Sequence, residues 1–300
     1  MTLLPNSGSS RRWVRLGVLT FVLCSCGPEL DVGSDVLWAT DHETGDLNDW
    51  YANSGGGLFP DKSMSPVEIA TVPARSGHFS LKFTDLAASD TNGPGVYREL
   101  VAPPDAYYSV WYYIPRLYQT KSQWTIMKFR ARSDADPAVI SHGHDINLRT
   151  LPGGQVIVYV YSHDPNYLQA PLADPPAIAP VETWFQIETL YRPRTDETGK
   201  LLVWLNDRLV YDLENRRTAG SDDVLWTPCN IGEDVEPLGA PSNLPGAGGA
   251  DGVGAEGDAG AGGAPSAPAT PARIAPEIFI DDAAISLKRV TRSGRILAKR

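Results

Sequence analysis

No stretch of this chain carries the 3.6-residue apolar period of a useful amphipathic helix, and that narrows its fold more than any other feature. In its place stand short runs rich in Val, Ile, Tyr and Trp, punctuated by Gly, Pro, Asn and Asp. Strands are expected at Val36–Ala39, Val67–Val72, Phe79–Phe83, Val96–Val101, Tyr107–Ile114, Trp124–Arg130, Asp145–Arg149, Gln155–His163, Trp184–Tyr191 and Lys200–Tyr211. Pro152-Gly153-Gly154 reads as a hairpin turn. Asn206-Asp207 reads as a type I′ turn, although Arg208 stands where glycine is usual. Strands this short and this closely spaced predict an all-β, antiparallel β-sandwich. Eight Trp and twelve Tyr against three Met point the same way.

Side chains along a strand alternate between faces, so each run can be sorted. Around Trp124–Arg130, Thr125, Met127 and Phe129 share one face; Trp124, Ile126, Lys128 and Arg130 share the other. If Thr125/Met127/Phe129, Ile146/Leu148 and Val156/Val158/Val160 face the core, one outer face collects Trp124, Lys128, Arg130, Asp145, Asn147, Arg149, Tyr159, Tyr161 and His163. Aromatic rings stack on sugar faces. Arg and Lys meet carboxylates or sulfates, Arg with two bonds at once. Asn and Asp read hydroxyls. Such a face suits a glycan, and an acidic one in particular.

The N-terminus is read as a targeting segment. Arg11, Arg12 and Arg15 precede a short apolar run, Leu16–Cys24, too short to span a bilayer. The run ends Leu23-Cys24-Ser25-Cys26, which resembles a bacterial lipobox and marks Cys26 for lipidation. Ser10–Arg15 also resembles a twin-arginine signal, with Arg15 where an apolar residue is expected. The expected layout is a lipoprotein signal peptide at 1–25, a spacer at 26–35, a sandwich at 36–287 and a basic tail at 288–300. A Gly/Ala/Pro-rich insertion at 238–276 interrupts the sandwich; it holds too few large apolar groups to order itself, yet a strand follows it. The expected location is the bacterial cell envelope, with membrane attachment through the lipid anchor alone. Cys229 would then be the one remaining thiol, with no disulfide partner. The net charge of −10 becomes more negative once the three signal-peptide arginines are removed, which argues against nucleic acid as a partner.

Three groups of residues carry a likeness to a known fold family. Trp38…Glu43-Thr44-Gly45-Asp46-Leu47…Trp50 opens the domain. Trp184-x-x-Ile187-Glu188 and Gly199-Lys200-Leu201-x-Val203-Trp204-Leu205-Asn206-Asp207 come late. Ile278-Phe279-Ile280-Asp281-Asp282 closes it. Together these resemble the concanavalin A-like lectin/glucanase superfamily, and within it heparin-lyase-like and glucuronan-lyase-like polysaccharide lyases. The resemblance implies two curved sheets packed face to face in a jelly roll, with a glycan groove on the concave one. It implies binding of a polysaccharide, and possible cleavage by β-elimination. Tyr159, Tyr161 and His163 are then the candidate base and acid. Lys128, Arg130 and Arg149 are candidates to hold the uronate carboxylate. The fold also hosts non-catalytic glycan-binding modules and structural surface proteins, and both readings stay open. Glycoside hydrolysis is disfavoured, since Glu-x-Asp-x-x-Glu is absent and Glu182 and Glu188 do not pair suitably. First and last strands of such jelly rolls often pair, which would bring Glu43 near Asp281 or Asp282 and suggests a structural Ca²⁺. His142-Gly143-His144 has no further Cys or His at zinc-ligand spacing.

Overall fold

The alternating runs pair into two antiparallel sheets that share one aromatic core. The computed structural model describes residues 35–52, 55–58, 67–84, 95–101, 105–120, 124–132, 140–162, 170–218, 223–230, 235–237 and 275–290. Cys26, His163, the 238–274 part of the insertion and residues 291–300 of the tail lie outside them.

The strands are β1 (Val36–Thr40), β2 (Gly56–Leu58), β3 (Val67–Ala70), β4 (Ser80–Thr84), β5 (Gly95–Val101), β6 (Ala106–Tyr113), β7 (Tyr118–Thr120), β8 (Trp124–Arg132) and β9 (Ile140–Thr150). They continue with β10 (Val156–Ser162), β11 (Ile178–Ala179), β12 (Phe185–Arg192), β13 (Gly199–Leu205), β14 (Arg208–Arg216), β15 (Asp223–Asn230), β16 (Val235–Pro237) and β17 (Glu277–Ser286). One short helix, α1 (Asn48–Tyr51), follows β1. The first sheet runs β14-β13-β12-β6-β17-β4-β3, with β1 also paired to β17. The second runs β11-β10-β9-β8-β15-β5-β2, and β7 pairs with β16 apart from both.

The expected pairing of first and last strands is present: Trp38 stands opposite Ile285 and Thr40 opposite Ala283. The Asn206-Asp207 turn has positive φ at both residues, 49° and 66°, as a type I′ hairpin requires.

Aromatic rings from the two sheets interlock in the core. Tyr108 of β6 meets Phe129 of β8 edge-on at 5.0 Å and Trp226 of β15 at 5.2 Å. Phe129 stacks on Tyr191 of β12 at 4.3 Å. Such pairs contribute about 0.5–1.5 kcal/mol each beyond the area they bury. Trp50, on α1, is fully buried against Trp38 and Trp226 and closes one end of the core. Arg98 of β5 lies beneath this cluster, its guanidinium 5.1 Å from the Trp38 ring centre. It donates to the Trp50 and Ala52 carbonyls at 3.1 and 2.8 Å, which ties α1 down.

The face assignment of β8 needs a correction. A β-bulge lies between Thr125 and Met127: these residues stand opposite Asn147 and Ile146, which are consecutive, so Ile126 is the extra residue. The extra residue shifts the alternation. Before the bulge Trp124 points inward and Thr125 outward; after it Met127 and Phe129 point inward, and Lys128 and Arg130 outward. The Tyr112 hydroxyl of β6 donates across the core to the Ile126 carbonyl at 3.0 Å and holds the bulge in place. Trp124 is therefore a core residue, 1% exposed, and not part of a sugar-stacking surface. Thr125 takes the outward place instead.

Candidate functional site

The outward face of β8, β9 and β10 gathers the chemistry-bearing side chains. Register places them in cross-strand rows. Thr125, Asn147 and Tyr159 form one row, and Lys128, Asp145 and Tyr161 the next; Arg149 stands opposite Ile157. Of the residues expected on this face, Lys128, Arg130, Asp145, Asn147, Arg149, Tyr159 and Tyr161 are brought together. Trp124 is not.

The electrostatics differ from a simple cationic surface. Arg130 Nη2 donates to Asp145 Oδ2 at 3.0 Å, Nη1 stands 2.6 Å from Oδ1 as an ion pair while donating to the Phe129 carbonyl at 3.0 Å, and Asp145 is almost completely buried. This pair neutralises one of the cations read as anion-seeking. Gly143 makes it possible on the neighbouring strand: a Cβ there would stand 1.7 Å from the Phe129 carbonyl oxygen and 3.0 Å from Arg130 Nη1.

Two donors on the face have no hydrogen-bond partner among the described residues. The Thr125 hydroxyl donates to Asn147 Oδ1 at 2.7 Å, and Asn147 is fully buried. Its Nδ2 has no hydrogen-bond partner, and neither has Arg149 Nε. A buried unpaired donor costs about 1–3 kcal/mol, so these two positions favour an incoming acceptor. The Arg149 guanidinium lies 5.3 Å from the centre of the Tyr159 ring. Burial pushes the Tyr159 phenol up to about 12, with the Arg149 charge opposing and Asp145 and Tyr161 assisting. At neutral pH Tyr159 therefore keeps its proton and can give it away.

Glu43 and Asp281 do converge, but on a shared loop. Glu43 Oε1 accepts the His78 and Phe79 N–H groups at 2.7 and 2.9 Å. Asp281 Oδ2 accepts those of Arg75 and Ser76 at 2.9 and 3.3 Å, and its Oδ1 accepts that of Asp282 at 2.8 Å. Oxygens committed to backbone donors do not fit the roughly six to eight oxygen ligands that Ca²⁺ gathers. No group of three or more His, Cys, Asp or Glu comes together among the described residues. The two carboxylates staple the loop before β4 to the turn after β1 and to β17. His144 points into the core, its ring edge-on to Tyr191 at 6.2 Å.

Sequence reasoning passed over the outward face of the first sheet. There Glu188, on β12, is buried and bonded to Arg289 Nε at 2.7 Å and to the Val290 N–H. Gln186 donates to the Val290 carbonyl at 2.8 Å, and Arg289 lies 4.4 Å from the Trp204 ring centre. Burial outweighs Arg289 and pushes the Glu188 carboxyl up to about 7. Such a shift often marks a catalytic acid, but both oxygens here hold the segment after β17. The available signal was position: a carboxylate set between Ile187 and Thr189 faces away from the core and must find a partner.

No family model matches the chain, and no curated protein does. Solved structures do. An endo-β-1,4-glucuronan lyase from the fungus Trichoderma reesei superposes with a TM-score of 0.51 at 12% identity, covering 82% of this chain and 96% of that one. The two share one fold, an antiparallel β-sandwich. A cellulose-induced protein, Cip1, follows at 14% identity, 84% and 98% coverage and a TM-score of 0.47. An alginate lyase from Aplysia kurodai stands at 10% identity, 84% and 99% coverage and a TM-score of 0.47.

Proposed function

We propose that the outward face of β8, β9 and β10 binds an acidic polysaccharide and cleaves it by β-elimination. The observation that carries this reading is Asn147: a fully buried amide whose Nδ2 has no partner among the described residues, beside Arg149 and Tyr159. A uronate carboxylate supplies the acceptor oxygens that Asn147 Nδ2 and Arg149 lack. Binding it there draws negative charge away from the ring and makes the C5 proton easier to remove. Tyr161, in the next row beside Lys128, is the base that takes that proton. The electron pair left at C5 forms the C4=C5 double bond, and the C4–O glycosidic bond breaks. Tyr159, held protonated by burial, passes its proton to the departing oxygen. The likeness to a glucuronan lyase supports the fold that such a reaction uses.

The test is incubation of the protein with glucuronan and with alginate, following the ultraviolet absorbance of the 4,5-unsaturated uronate end. The wild type should generate it. Tyr159→Phe should lower kcat by about 10²–10⁴-fold, the usual contribution of a positioned proton donor. Asn147→Ala should lower it by about 10²–10³-fold, as loss of a charge-stabilising donor does. Binding of both polymers without an unsaturated product would leave a glycan-binding module; binding of neither would overturn the reading.

A further inference from the structure

We infer that Ile178 gives this face a subsite for an acyl ester carried on a hydroxyl of the acidic sugar, beside the place where Arg149 meets its carboxylate. The inference rests on the proposed function and adds a specificity residue to it. The second sheet ends at β11, and register carries one row out to that edge: Arg149 on β9, Ile157 on β10 and Ile178 on β11. Ala177 and Ala179, on either side of Ile178, enter the core, so the side chain between them faces away from it. Val156 and Val158 do the same on either side of Ile157. Ile157 is buried and backs the row, whereas Ile178 is 44% exposed and open to a ligand. Arg149 is only partly buried. The other two rows of the face carry a hydroxyl, an amide or a charge at every position; this one turns apolar beyond its arginine.

The edge that presents Ile178 is held in place. The Ala170 N–H donates to the Val160 carbonyl at 3.2 Å and the Val158 N–H to the Ala177 carbonyl at 2.7 Å, which fastens both ends of the loop before β11 to β10. Arg208 of β14 donates to the Pro175 and Pro176 carbonyls at 3.3 and 3.0 Å. Position in the row, more than exposure, identifies what covers Ile178. Neighbouring strands stand about 4.8 Å apart, so Ile178 lies about 10 Å across the row from Arg149. A uronate whose carboxylate sits on Arg149 reaches that far only with a group on the opposite side of its ring, where the hydroxyls at C2 and C3 stand. The group must be apolar to gain from Ile178. It must also leave the carboxylate charged for Arg149, which rules out a methyl ester of the acid. An acyl ester on a ring hydroxyl, such as acetyl, meets both conditions. β-Elimination leaves it in place, because the reaction touches only C4, C5 and the departing oxygen.

The test is calorimetric binding of two saturated glucuronan tetrasaccharides, one acetylated on its ring hydroxyls and one without esters. The full chain carries Tyr159→Phe, so that cleavage does not consume the ligand. The acetylated tetrasaccharide should bind about three- to fivefold more tightly, the worth of covering one methyl group. Ile178→Ser should abolish the difference by weakening the acetylated sugar alone, and Ile178→Leu should keep it. Val72→Ser, which removes a side chain 79% exposed in the loop after β3, should change neither affinity. No preference for the acetylated sugar, or a preference that survives Ile178→Ser, overturns the inference. Incubation of the wild type with both sugars separates this outcome from the fate of the proposed reaction. A preference that depends on Ile178, with no unsaturated product from either sugar, removes the lyase reading and leaves this one standing. Cleavage of both sugars without any preference in binding removes this inference alone, and binding of neither sugar removes both.

Discussion

Trp124 presses its ring edge-on against Tyr118, with centroids 5.5 Å apart, and is 1% exposed. A ring in that position contributes to stability and not to recognition. Trp124→Ala should cost about 3–5 kcal/mol, the range for losing a buried aromatic side chain, and should lower the urea midpoint accordingly. The folded fraction should bind an acidic oligosaccharide as before, and a loss of affinity in fully folded Trp124→Ala would return the indole to the groove. Asn147 and Tyr159 were legible in the sequence because Asp145–Arg149 and Gln155–His163 alternate without interruption. Trp124 was not, because nothing in Trp124-Thr125-Ile126-Met127 announces an inserted residue: every side chain in the run suits a strand on either face. The Arg130–Asp145 pair was hidden for a related reason. Both residues fall on one face by alternation, but an ion pair between them depends on which strands are neighbours, and that is set by register.

Among the elements, the strands with clean period-two patterns and a turn at each end were found from sequence, including the β13–β14 hairpin and the closing strand β17. Those missed have physical excuses. The strands β2, β7, β11 and β16 are two or three residues long and carry no usable period. β15 contains Pro228, which argues against a central strand; the register shift between Trp226 and Cys229 accommodates it, as bulges do for proline. The segment after β17 has its own consequence for stability. Glu188, raised to about 7 by burial, holds a proton in the folded chain that it has released in the unfolded chain above about pH 4.5. The folded state therefore binds more protons across this window, and stability falls as pH rises from about 4.5 through 7. Arg289 on its Oε2, Asp207 near Arg289 and Tyr107 on β6 are the charged or titratable groups facing it. Asp282 adds a slope of the same sign, since burial and Asp281 raise its carboxyl against Arg75. Glu188→Gln should flatten the pH dependence of the urea midpoint by up to roughly 3 kcal/mol over the window. An unchanged slope in Glu188→Gln would assign the dependence to Asp282 or elsewhere.

At the scale of the whole molecule, charge sets two effects against each other. The chain carries a net charge of −10, and the proposed ligand is a polyanion. Approach from a distance is repelled by the sum of charges, while contact is favoured by a few donors on one face: Asn147, Arg149 and Lys128. Salt screens the two unequally. Exposed charges farther apart than about 10 Å are largely screened at 0.1 M ionic strength, whereas partly buried contacts are screened much less. The association rate of an acidic oligosaccharide should therefore rise as salt is raised from about 0.01 to 0.1 M, the reverse of the behaviour of an electrostatically steered pair. The dissociation rate should change less, because it depends on contacts at the floor of the face. Stopped-flow fluorescence at a series of salt concentrations separates the two rates. Arg149→Ala should raise the dissociation rate and leave the salt dependence of association intact, since it removes one contact and only makes the overall charge slightly more negative. An association rate that falls with salt would mean that the cations of β8 and β9 govern the long-range field despite the acidic chain around them, and Arg149→Ala would then weaken that dependence.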